Sequence, residues 1–176
     1  MFKVNDYIMY GMTGVCQVVD ITKESFIDNL QKEYYVLKYI YSNDTIIKIP
    51  TDNKKVPMRK ILSKGEVATL INSMPNSETI WIDDDRKRNE EFKSILKTGD
   101  IENLVKLIRS IYLDKEYKKS IGKKSYKVDE EIMQTAERLL NEEFATILNI
   151  SPNEVATYIS NPVSYTHLTL PTILRV

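Results

Sequence analysis

At Ser63 the hydrophobic pattern of this chain changes its period, and that change constrains the fold more than any single motif. Before it, "DYIMY" (6–10), "GVCQVVDIT" (14–22), "EYYVLKYIY" (33–41) and "TIIKIP" (45–50) are rich in Val, Ile, Tyr and Thr. Short polar breaks separate them, as they separate strands joined by tight turns. The breaks carry turn chemistry: "YGMTG" holds two glycines, "SFIDNLQ" offers Asp28-Asn29, and "SNDT" (42–45) suits a hairpin. The pattern predicts a small antiparallel barrel or curled sheet in meander order. A fifth short strand is expected around Val56 to Arg59, with Pro57 confining it to an edge.

After Ser63 the apolar residues recur every third or fourth position. "SKGEVATLINSM" (63–74) opens with Ser63 and Glu66 at capping-box spacing and stops before Pro75. Pro75-Asn76-Ser77 reads as a joint between two units. Further helices are expected over 84–98, 100–119 and 129–149. The second buries a stripe of Ile101, Leu104, Val105, Ile108, Ile111 and Tyr112; the third buries Ile132, Met133, Ala136, Leu139, Leu140, Phe144 and Leu148. Ser151, Pro152 and Glu154 form one more helix start. The expected class is α+β: an N-terminal β domain over 1–62, then an all-helical domain over 63–160. The stretch "VSYTHLTLPTILRV" (163–176) shares no periodicity with what precedes it. Read as codons it resembles a sequencing-library adapter, so we treat it as a non-native read-through tail.

Charge and residue types exclude several function classes. With 25 basic and 25 acidic residues the net charge is zero, so recognition of a polyanion must come from local charge. A single cysteine and a single histidine cannot make an internal disulfide or a zinc site. No window approaches the roughly 18 apolar residues of a membrane span, and no leader pattern is evident; a soluble, cytoplasmic protein is expected. Neither a Gly-rich phosphate loop nor a nucleophile elbow is present, so no enzyme, cofactor or metal is expected. Asp83, Asp84 and Asp85 read as a helix start in preference to a cation site.

Two features remain. "KEYKKSIGKKSYK" (115–127) holds six lysines against one glutamate. It suits sequence-blind phosphate contact, or else a solvated loop at a helix C-terminus. Trp81, the only tryptophan, sits before a charged helix in "SETIWIDDDRKRNEEF". It is either an interdomain plug, as in a stand-alone protein–protein adaptor, or an apolar wedge for a DNA minor groove beside phosphate-gripping bases.

The order "FKVNDYIMYGMTGVCQVVDI", "EYYVLKYI", "TIIKIP", "VPMRKI", a single Trp, then "TGDIENLVKLIRSIY" resembles the CarD/CdnL family of bacterial transcription regulators over residues 1–149. Where that family commonly has a Tyr-Pro-x-His-Gly turn, this chain has "YGMTG". The resemblance implies a Tudor-like RNA polymerase interaction domain, also found in transcription-repair coupling factors, and a helical domain contacting promoter DNA. It implies the polymerase β subunit as partner, with Lys23 and Lys48 facing it. It also implies promoter DNA at the upstream edge of the melted region, contacted by Trp81, Arg86, Lys87, Arg88, Lys119, Lys123 and Lys124. The free protein is expected to be a monomer that stabilises the open complex.

Overall fold

In the computed structural model, which describes residues 1–25 and 31–160, the change of period at Ser63 falls beside a division into two units, Met1–Ile61 and a second from Leu62 on. The expected Asp28-Asn29 turn and the 163–176 tail lie outside the described residues.

The first unit holds strands β1 (Tyr7–Tyr10), β2 (Gly14–Ser25), β3 (Gln31–Tyr39), β4 (Ile46–Pro50) and β5 (Met58–Lys60). They form one antiparallel sheet in the order β4-β3-β2-β1-β5. Side chains alternate across a strand, so register decides which residues meet. Here it sets Ile8 opposite Cys16, Val18 opposite Leu37 and Tyr35 opposite Ile49. All six are buried and make the core of the unit, each worth about 1.5–3 kcal/mol for the larger side chains. The Tyr35 hydroxyl accepts the Phe2 N–H at 3.1 Å while the two rings meet edge to face. A register shift between Val18 and Asp20 leaves Val19 outside the ladder, a bulge that bends the strand. The "YGMTG" turn needs its first glycine twice over: Gly11 has φ +46°, and an added Cβ would lie 2.8 Å from Val56 Cγ1. The Gly11 N–H also donates to the Pro57 carbonyl at 3.0 Å, which ties β5 to the turn. β4 and β5 are the two ends of the sheet, and closure into a barrel is not among its described pairings.

The second unit contains α1 (Lys64–Ser73), α2 (Asp85–Thr98), α3 (Ile101–Ser120), α4 (Lys127–Leu148) and α5 (Val155–Ser160), with 3-10 turns at Met74–Asn76 and Pro152–Glu154. The capping box forms as its spacing requires: Ser63 Oγ accepts the Glu66 N–H, and the Glu66 carboxylate accepts the Ser63 N–H at 2.7 Å. That backbone hydrogen bond holds the Glu66 carboxyl below its ordinary value. Gly99, in the left-handed region at φ 63°, ends α2, and Asp100 caps α3. α4 packs against α1, α2, α3 and α5 and buries Ile132, Ala136, Leu139 and Phe144. Its Glu143, fully buried, accepts the Leu62 N–H at 3.0 Å.

Two expectations are corrected. Pro75-Asn76-Ser77 is no joint between units: it lies inside the second, where the Arg109 guanidinium holds the Met74 carbonyl at 3.3 Å. Tyr112 is not in the buried stripe of α3. It stands half exposed at the rim of a groove, and Leu107 fills the core instead.

Candidate functional site

The segment before α2 is extended, yet two side chains fix it at its ends. Ser110 on α3 donates to the Lys106 carbonyl at 2.6 Å and accepts the Ile80 N–H at 2.8 Å. At the other end Asp84 accepts the Lys87 N–H at 2.9 Å as the N-cap of α2. Trp81 stands between these anchors. Its indole meets the buried Phe92 ring edge to face, with centroids 6.4 Å apart. The Arg88 guanidinium lies 4.4 Å from the indole centroid.

Arg88 sits among the expected phosphate-binding residues, and the structure corrects that assignment. It is 2% exposed. Its guanidinium donates to the Ile82 carbonyl at 2.9 Å, to Asp85 at 2.7 Å and to Asp129, itself buried, at 3.2 Å. Burial works against the charged guanidinium, but Asp85 and Asp129 outweigh it and hold its pKa above the ordinary value. A cation so enclosed cannot reach a phosphate. What it does is support the indole, a desolvated cation–π contact of about 1–2 kcal/mol. Arg86 and Lys87 point outward, Arg86 reaching Glu90 at 3.4 Å.

A second cation stands beside the first. The Lys118 ammonium pairs with Asp114 at 2.6 Å, lies 3.9 Å from the Tyr126 centroid and 5.8 Å from that of Trp81. Arg88 also approaches Tyr126, at 5.7 Å. Two rings thus share two cations, Arg88 held by two carboxylates and Lys118 by one. Trp81 nevertheless keeps 37% of its surface exposed, and its described ring partners, Arg88, Phe92 and Lys118, all belong to the helical unit.

The structure sorts the six lysines of the 115–127 stretch. Lys115 faces Glu130 at 3.6 Å, Lys127 faces Glu131 at 3.7 Å, and Lys118 is half of the cation pair just described. Lys119, Lys123 and Lys124 are exposed and have no ion pair among the described residues. They flank a tight turn in which Gly122 takes φ 70° and the Lys123 N–H closes on the Lys118 carbonyl at 2.8 Å. Of the three aspartates beside Trp81, Asp84 caps the helix and Asp85 neutralises Arg88.

In the sheet, Lys23 and Lys48 do not share a face. Lys23 lies directly across from Glu33 and pairs with it at 3.2 Å. Lys48 pairs with Glu24 and sits 5.3 Å over the Tyr34 ring. Since Lys23 is aligned with Glu33 while Lys48 is aligned with Val36, alternation puts the two on opposite sides. The open feature here is backbone. The Tyr39 N–H donates to Thr45 and the Thr51 N–H to Glu33, so positions 45, 47, 49 and 51 turn their polar groups toward β3. Ile46 and Lys48 therefore turn their N–H and C=O groups outward, on an edge that no described strand covers.

Sequence reasoning missed the parts played by Asp129, Lys118 and Tyr126. Asp129 reads as an ordinary acidic residue in the first turn of a helix, and nothing local marks it as the partner of Arg88, 41 positions away. Lys118 is one of six similar lysines.

Residues 2–62 match the family model described as CarD-like/TRCF RID domain. No curated protein matches the chain. The match covers the β unit and stops where the helices begin.

Proposed function

We propose, from the match of residues 2–62 to the CarD-like/TRCF RID domain model, a non-enzymatic regulator of transcription initiation whose N-terminal unit interacts with RNA polymerase. In this reading the Tudor-like sheet holds the polymerase β subunit in the cytoplasm, and the helical unit contacts promoter DNA at the upstream edge of the melted region. The single observation that carries the DNA half is Trp81: a large aromatic kept partly exposed over a buried, doubly paired Arg88. A residue that only filled a core would not need such a support.

The β4 edge suits the polymerase half. A partner strand added beside Ile46 and Lys48 gains main-chain hydrogen bonds with little demand on side chains. Lys23 and Lys48, each paired within the sheet, then tune the approach and do not dominate it.

Physical magnitudes favour a tethered mechanism. Lys119, Lys123 and Lys124, with Arg86 and Lys87, give a handful of phosphate contacts, enough only for weak, salt-sensitive binding on their own. Docking on polymerase raises the effective DNA concentration to the order of millimolar. Wedge insertion costs a few kcal/mol of unstacking. That cost is smallest where base pairs already part, so insertion favours the open complex over the closed one.

The reading is tested by adding the full chain to purified polymerase on a promoter. Capture of polymerase by the chain, with slower decay of heparin-resistant complexes, supports it. Absence of capture removes it.

A further inference from the structure

Beside Trp81 the surface is indented by a cleft of about 210 Å³, lined by Thr79, Trp81, Ser110, Leu113 and Asp114. That is below the roughly 300–1,000 Å³ of sites for drug-sized ligands, so it suits one flat ring system. Arg88, 4.4 Å from the indole centroid, is not among the lining residues. Its walls are the indole and the Leu113 side chain, which is 46% exposed. Its polar rim is the Thr79 hydroxyl, without a partner among the described residues, and the Asp114 carboxylate, whose charge is met by Lys118 at 2.6 Å. The unpaired cations Lys119, Lys123 and Lys124 follow on the same helix end and the turn after it.

An apolar slot with a polar rim, on a helix whose end and following turn carry lysines without an ion pair among the described residues, fits a nucleobase joined to its phosphates. We propose that this cleft takes a single unstacked base from the parted strand, stacked on Trp81 and walled by Leu113. The proposal rests on the reading of Trp81 as a DNA-contacting residue. It adds a second role: the indole that separates a base step also offers a seat to the base it displaces. Stacking on an aromatic side chain is tolerant of base identity, because every base has a π-face.

The test uses the full chain and labelled fork DNA, a duplex with one single-stranded arm, at low salt where phosphate contacts are strongest. An abasic residue is walked through the arm and affinity is read by fluorescence anisotropy. The cleft predicts a loss of at least fivefold at one position next to the junction and little change elsewhere. It also predicts that Leu113→Ala, at an exposed position, abolishes that positional dependence. A flat abasic scan, an unchanged scan with Leu113→Ala, or no fork binding at low salt would overturn the proposal. If the scan is flat while Trp81→Ala still shortens open-complex lifetime, the wedge stands and the cleft falls.

Discussion

The two units offer a partner different kinds of group. In the sheet, the lysines that first draw the eye, Lys23 and Lys48, are occupied by Glu33 and Glu24, and what lies open is the backbone of β4. In the helical unit the main chain is largely engaged within the helices, and what lies open is side chains, among them Lys119, Lys123, Lys124 and the indole of Trp81. The difference teaches how one chain of zero net charge can hold two unlike partners. Main-chain pairing is nearly insensitive to salt and to side-chain identity, whereas lysine–phosphate contact is sensitive to both.

The largest effect expected is on Arg88. Arg88→Ala leaves Asp129 buried without its partner and should destabilise the helical unit by about 3–5 kcal/mol, against less than about 0.5 kcal/mol for the exposed neighbour Arg86→Ala. Chemical denaturation of both variants measures this. Equal stability would mean that the buried pair is not formed.

Next in size is the edge of β4. Lys48→Pro removes an outward N–H that the sheet does not use, so the fold should persist by circular dichroism while polymerase capture weakens tenfold or more. Lys48→Ala, which keeps the N–H, should cost less than threefold. The opposite ranking would move the polymerase contact from backbone to side chain.

Smaller still is the lysine set. Replacing Lys119, Lys123 and Lys124 together by Gln should lower the slope of log affinity for DNA against log salt by about 3 and leave polymerase capture as it was. Replacing the ion-paired Lys115 and Lys127 should change that slope less.

The smallest effect is in acid. Glu66 has a folded pKa depressed by the Ser63 N–H below its ordinary 4.5. Its cap therefore contributes stability above about pH 4.5, and that contribution is lost as pH falls further toward the folded value. Glu66→Gln should be less stable than the parent at neutral pH, with the gap closing in acid; a gap independent of pH would remove the carboxylate from the cap.

Much of this was legible in the sequence because it is local. The Val, Ile, Tyr and Thr content of segments such as "GVCQVVDIT" and the Ser63–Glu66 and Ser151–Glu154 spacings are enough to write strands and helix starts, since each depends on residues a few positions apart. The bulge at Val19 was not legible, because a two-against-one pairing depends on the partner strand. Arg88 was read as a surface cation because "RKR" reads as one basic run. A helix turns about 100° per residue, so Arg86 and Lys87 face water while Arg88 turns inward to meet Asp129. The same gap in reasoning hid the sorting of the lysines, which rests on acids supplied by α4.

The account turns on the indole of Trp81. The most direct measurement is the decay of open promoter complexes, challenged with heparin, with polymerase saturated by either the parent chain or Trp81→Ala. Faster decay with the variant, at undiminished occupancy of polymerase, is the predicted result. Identical decay at equal occupancy would contradict the account.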